Sequence, residues 1–182
     1  MNSVIWCPIS RIVRDYLIEK DQGGDYQEVI STPEMRGMLP IATEAMPAEP
    51  AVLLAIFSEA SIKKTRTRGS GIIEDPQVSM ILRHTNPEAG RFAMKRIQDV
   101  MDSLYNWTWT YSGSSPETYA QTVVFRLAIR QRGIFNIGKD EKGRWQLNLE
   151  YQLVVQSVSG SEAQGPSGYY DTGWYCVSTY GE

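Results

Sequence analysis

The chain holds one histidine, His84, among 182 residues. Catalytic triads and His-based metal sites need histidine together with partners at fixed spacing. A lone His just after an apolar run reads as a strand-end residue with no catalytic part. Cysteine is almost as scarce. Cys7 and Cys176 stand at opposite ends of the sequence, so free thiols in a reducing compartment are expected rather than a disulfide. No apolar run approaches the ~20 residues needed to cross a bilayer. The first residues lack the basic and apolar regions of a secretory signal. Positive charge is not in excess either: the net charge is −3, which argues against a general nucleic-acid binder. Residues 138–143 carry a Gly-Lys pair but lead into a strand pattern instead of a helix, so they are not a phosphate loop. G-x-S-x-G, C-x-x-C and H-E-x-x-H are all missing. Without a nucleophile–base pair, the sequence reads as a non-enzyme with no cofactor and no metal. Hydrophobic content of 42% and charged content of 21% suit one soluble domain with its own core.

What is present centres on residues 122–156. Val123, Phe125, Leu127 and Ile129 alternate with Thr122, Val124, Arg126, Ala128 and Arg130. Further on, Trp145, Leu147, Leu149, Tyr151, Leu153 and Val155 alternate with Gln146, Asn148, Glu150, Gln152 and Val154. Period two means that one row of each strand is buried and the other is wet. The glycines of residues 133–144 and the polar stretch 139–143 read as a long, exposed hairpin connection.

Before this ribbon, Pro8 suits a helix start, and Ile9, Ile12, Val13, Tyr16 and Leu17 mark one buried face. Residues 21–25 stop that helix. Pro33, Pro40, Pro47 and Pro50 break up residues 26–50, which read as an irregular surface segment or as a Met-rich subunit-contact arm. The apolar run 51–57 fits a strand covered on both faces, or a short buried helix. Lys63, Lys64, Arg66 and Arg68 then form a basic run, either a solvated hairpin tip or a contact with DNA passing nearby. Residues 76–83 are a further strand. Asn86, Pro87 and Glu88 then open a helix over 87–105, as N-cap, first residue and dipole partner. Its expected inner face is Ala93, Ile97, Val100, Met101 and Leu104. Trp107, Trp109 and Tyr111 alternate at strand spacing, as one packed face or as a stacking platform for a base or sugar. Residues 157–168 are a flexible Ser/Gly-rich linker. Residues 169–182 form an aromatic, strand-compatible extension, able to pair with a neighbouring subunit's sheet edge or to fold back on its own domain.

Two stretches carry a family resemblance. One is Val78, Ser79, Met80, Ile81, Leu82, Arg83, His84 and Thr85, followed by Ala89, Ala93, Ile97 and Leu104. It is similar to a strand ending in Arg-Gly and then a helix of small and apolar residues. The other, residues 135–144, resembles the "lGrDe.GR" turn before a last core strand. In both stretches the chain resembles the tail-terminator and minor capsid (head–tail joining) proteins of tailed bacteriophages. The resemblance spans roughly residues 9–156. His84 stands where the family often has Gly, and residues from 157 on have no counterpart.

The elements and the resemblance together imply an α+β fold, tail-terminator-like, over residues 1–156. It would be a mixed, mainly antiparallel sheet with a long central hairpin, packed against two helices. The resemblance further implies a structural virion protein of the neck, assembled in the host cytoplasm. Its expected partners are its own copies in a ring, a hexamer by analogy, with the tail tube protein, a sheath protein and the head-side connector or stopper. DNA would be met only in passing, and no membrane is expected. The expected subunit or tube interface is Lys139, Asp140, Glu141, Lys142 and Arg144, with Lys63, Lys64, Arg66 and Arg68 as a candidate DNA-path loop. Two other readings of the residues are a different head–tail connector and a monomeric module binding a ligand through Trp107, Trp109 and Tyr111.

Overall fold

The computed structural model describes residues 8–59, 64–66, 72–111 and 121–158. The linker and extension after Val158 lie outside the described residues, as do Cys7 and Cys176. In chain order the elements are α1 (Ile9–Glu19), β1 (Gly24–Asp25), α2 (Tyr26–Ser31), a 3-10 turn (Pro33–Met35), β2 (Pro40–Thr43), β3 (Leu53–Glu59), β4 (Lys64–Arg66), β5 (Ile72–Glu74), β6 (Gln77–His84), α3 (Pro87–Asp102), β7 (Tyr105–Tyr111), β8 (Gln121–Lys139) and β9 (Trp145–Val158). The fold is α+β: among the described residues there is one nine-stranded sheet, mainly antiparallel and curled as a half-barrel, with few helices.

The ribbon of β8 and β9 stands at the centre, as its alternating pattern predicts. β9 pairs with β8 along one side, from Trp145 to Val158. Along its other side it pairs with β6 and then with β5. Leu147, Leu149, Tyr151, Leu153 and Val155 all point into the core. β3 joins β6 antiparallel, and β4 joins β5 antiparallel. The apolar run at 51–57 is therefore a strand; Leu53, Leu54, Ala55 and Ile56 are buried, as expected of one covered on both faces.

Both main helices share one cluster of buried side chains with this sheet. α1 buries Ile9, Ile12, Val13, Tyr16 and Leu17, the face read from its spacing. α3 begins as its sequence predicts, with the Asn86 side chain accepting hydrogen bonds from the backbone of Glu88 and Ala89 and with Pro87 in the first turn. Its inner face turns slightly from the expected one. Met94 is fully buried, while Ala93 and Val100 are only partly so. Gly90 permits the close approach of this helix, since a Cβ there would lie 3.1 Å from the Cβ of His84. Two tyrosines tie the layers. Tyr16 donates to the Val100 carbonyl at 3.2 Å. Tyr151 donates to Asp102 Oδ1 at 2.6 Å, and burial pushes its ionisation well above the ordinary range.

Three expectations are corrected. Residues 26–50 are not merely an irregular surface segment: β2 lies within the sheet, parallel to β1 and β3, with Ile41 fully buried. The prolines limit its length without excluding it, because Pro40 sits at the first strand position. The connection between the ribbon strands is short rather than long, because β8 runs on to Lys139. Finally, the alternation of β8 breaks. Phe125 faces Val155 but Leu127 faces Val154, so one extra residue bulges between them. A one-residue slip reverses every later side chain. Val123 and Phe125 are buried, whereas Leu127 and Ile129 are exposed and Ala128 faces Leu153 instead. Three further register shifts follow, at 130/132, 132/135 and 136/138.

This phase reversal is testable. Phe125→Ala should cost about 3–5 kcal/mol, as for other buried aromatic truncations. Leu127→Ala, on the outer row, should change stability by less than about 1 kcal/mol. Urea unfolding of both variants checks this, and equal losses would place Leu127 in the core after all.

Candidate interface on the ribbon

Residues 140–144 turn β8 back into β9, and one carboxylate closes the turn. Asp140 Oδ1 accepts from the backbone N–H groups of Lys142 at 3.0 Å and Arg144 at 2.9 Å. Oδ2 accepts from Arg144 Nε at 2.7 Å and Nη2 at 2.6 Å. Gly143 adopts φ +75°, a conformation that a residue with a Cβ rarely takes. The Arg144 side chain, first of all, holds the Asp140 carboxyl below its usual range, against a smaller opposing effect of burial. Arg144 also donates from Nη1 to the Ala48 carbonyl at 2.8 Å, so the turn is fastened to residues 48–50. Lys142 Nζ meets Glu49 Oε1 at 2.5 Å and lowers that carboxyl in turn. Beneath them Arg83, only 2% exposed, donates from Nη2 to the Pro50 carbonyl. Burial, then the nearby charge of Arg144, makes its guanidinium easier to deprotonate than usual.

The five expected interface residues therefore divide. Asp140 and Arg144 face inward and serve the turn. Lys139 lies over the Trp145 ring at 4.5 Å and is otherwise exposed, and Glu141 and Lys142 are exposed. Of the basic run, Lys64 and Arg66 belong to β4 through their backbone, while Lys63 and Arg68 lie outside the described residues. His84 ends β6, and its Nδ1 accepts from the Asn86 N–H at 2.9 Å, a local turn contact.

The ligand-stacking reading of the aromatic strand is overturned for two of its three residues. Trp109 is buried and donates from its indole to Asp15 Oδ2 at 3.1 Å. Trp107 donates to Glu19 Oε2 at 2.9 Å and lies between the rings of Tyr16, 5.0 Å away, and Phe125, 5.7 Å away. Both are committed to α1 and the core. Tyr111 pairs with Gln121 through its backbone.

Sequence reasoning missed a different surface. Tyr105, 73% exposed, stands beside Leu127, and Ile129 and Ile137 are also exposed along β8. β7 covers the outer edge of β8 only as far as Leu127. Among the described residues, positions 128–139 have no strand on that side. β8 carries Arg126, Arg130, Arg132 and Lys139 and no acidic residue. That one-signed charge was legible in the sequence; the outward apolar row was not, because the bulge creates it. A shallow depression of about 450 Å³ lies between α3 and the ribbon, lined by Arg91, Lys95, Ile134, Phe135, Asn136 and Leu147. It contains no nucleophile–base pair.

No family model matches the sequence, and no curated protein matches it. Among solved structures, the chain is similar to one from the virion of a native gene transfer agent particle. The two are 12% identical, the match covers 82% of this chain and 95% of the other, and the TM-score is 0.47. A likeness at that level says nothing of this chain's role.

The division of the turn residues can be checked by titration and mutation. The folded-state pKa of Asp140 is depressed, so its contribution is present above the ordinary Asp pKa, about 3.9. It is lost as pH falls below that value toward the folded pKa. Melting temperature measured between pH 7 and pH 2 should therefore fall on the acid side, and Asp140→Asn should flatten part of that fall. Arg144→Glu at neutral pH should lower the melting temperature strongly, and Lys139→Glu should barely move it. The opposite order would return Arg144 to the surface.

Proposed function

We propose that this chain is a structural virion protein of a tailed phage, a tail terminator. In this reading its copies form a ring, a hexamer by analogy, that caps the tail tube. The ring joins the tube to the head-side connector or stopper and meets a sheath protein where the tail has one. DNA passes through without being read. The protein acts at the neck, by surfaces and not by catalysis, without metal or cofactor.

One observation supports this reading most. A long ribbon carries an outward apolar row, a basic edge that no described strand covers beyond Leu127, and a turn whose backbone is locked by Asp140 and Arg144. Interfaces need apolar area that is held rigidly and charges that set register. The ribbon offers both, with Lys139, Glu141 and Lys142 left exposed at its tip. The shape of the two resembling stretches supports it too: the Arg83-His84 strand end and the 135–144 turn fold against one another through residues 48–50. A related reading is another head–tail joining protein, which would use the same surface without capping a tube.

The test is a charge reversal that spares the fold. Lys139→Glu with Lys142→Glu should leave the melting temperature within a few degrees of the parent. Tails assembled with this variant as the only copy should lack caps and vary in length by electron microscopy, and native mass spectrometry with tube protein should show no ring. Capped tails of uniform length would remove the ribbon tip from the interface.

A further inference from the structure

We infer that the outer ridge of α3, at Arg91, Phe92 and Arg96, docks on α2 and the 3-10 turn of a second copy, at Glu28, Ile30 and Glu34. This rests on the ring reading and deepens it, by naming one contact that would join neighbouring subunits.

The ridge comes first. Arg91 and Lys95 line the depression between α3 and the ribbon. Ala93, Arg96 and Ile97 line a second hollow, of about 250 Å³, beside Met38 and Leu39. At about 100° per residue, Phe92 stands on the crest between the two. It is 68% exposed. Lys95 is bonded to Asp99. Arg91 and Arg96 are exposed and have no hydrogen bond or ion pair among the described residues. An exposed aromatic side chain between uncompensated arginines has the composition of an interface, where such residues are enriched and carry much of the binding energy. Its occupant must bring apolar area and negative charge.

Among the described residues, one other surface of the chain meets that demand. Tyr105, Leu127, Ile129 and Ile137 are exposed on β7 and β8, but β8 carries no acidic residue. Ile30 lies on α2 and Met38 just past the 3-10 turn, 50% and 46% exposed. Glu28 and Glu34 belong to the same two elements, exposed and without a side-chain hydrogen bond or ion pair among the described residues. The minority charges match as well. Arg36 on this surface and Glu88 on the ridge are likewise exposed and unpaired among the described residues. Two positive charges and one negative thus meet two negative and one positive, the complementarity that sets register and partner choice.

The faces of the sheet assign the contact to two copies. α3 packs with α1 on the inner face. The Asp25 side chain, on β1, points to this face and pairs with Arg14 of α1. Successive strand residues point to opposite faces. Gly24 therefore points outward, where a Cβ would meet Val29 of α2 at 2.7 Å. Tyr26 agrees with this placement. Its hydroxyl donates at 3.0 Å to the Glu49 carbonyl, beside the Pro50 carbonyl that Arg83 holds from the outer row, next to inward Leu82. In one copy α2 and the ridge of α3 are thus on opposite faces of the sheet and cannot meet. A contact between unlike surfaces is heterologous, and it builds a ring when its rotation closes.

The experiment uses the full chain, in native mass spectrometry with and without tube protein. One variant carries Arg91→Glu with Arg96→Glu, the other Glu28→Arg with Glu34→Arg. Each alone should stay monomeric, because its two surfaces then repel. Mixed in equal amounts they should assemble again, in even-numbered species that alternate the two. Phe92→Ala should weaken association by about tenfold or more. Melting curves check that the variants fold, and where a reversal lowers the melting temperature, the Gln versions take its place and should weaken assembly likewise. Folded variants that assemble like the parent would overturn the contact and leave the ring reading in place, and a mixture that stays monomeric would overturn the contact too. Open chains of the parent, lost in each variant and restored in the mixture, would keep the contact and remove the ring reading. A parent that stays monomeric even with tube protein would remove both.

Discussion

The register of β9 is the constraint on which the other layers depend. It is hydrogen-bonded on both sides, to β8 along one edge and to β6 and β5 along the other. Its inward row runs from Leu147 to Val155 without a break. The same row receives α3, through the hydroxyl of Tyr151 on Asp102. A shift of one position would send that whole row to solvent. Irregularity is therefore confined to the partner strand: β8 takes the bulges while β9 stays straight in its pairing with β6.

The charges near the ribbon turn show how a polar cluster is divided between fold and surface. Asp140 satisfies two backbone donors and the Arg144 side chain, so a turn with little apolar surface still has one backbone conformation. Arg144 passes that order to residues 48–50 by way of the Ala48 carbonyl. Arg83 grips the same segment from below. A segment with Pro47 and Pro50 and little regular structure is thus held by guanidinium groups on carbonyl oxygens. Bonds from a charged donor are stronger than neutral ones, and leaving either guanidinium buried without its acceptor would be costly.

Much of this was legible in the sequence, where a single local pattern decided the outcome. The helix caps at Asn86 and Pro87, the inner face of α1 and the paired runs of the ribbon all follow from spacing within a few residues. What escaped depends on distant partners. β2 is only four residues long, and its place between β1 and β3 comes from parallel pairing that leaves no periodic trace. The outward turn of Leu127 and Ile129 comes from one extra residue near Arg126, and an alternating run looks the same with or without it. Asp140 and Arg144 looked like exposed charges because their neighbours are glycine and lysine. Only the fold brings Ala48 within reach. Trp107 and Trp109 could be read as core or as platform until α1 supplied Asp15 and Glu19 as acceptors for their indoles.

The bulges of β8 also bear on how such a chain can change over generations. Each is a one-residue insertion already absorbed, with β9 and the core unchanged on the far side of the ladder. Gaining or losing a residue at these points would re-aim the side chains between one bulge and the next without disturbing the inward row of the partner strand. The outer face of the ribbon can thus be rewritten in steps of a single codon while the domain beneath keeps its packing. A lineage that had to fit a new neighbour would find its room for manoeuvre there.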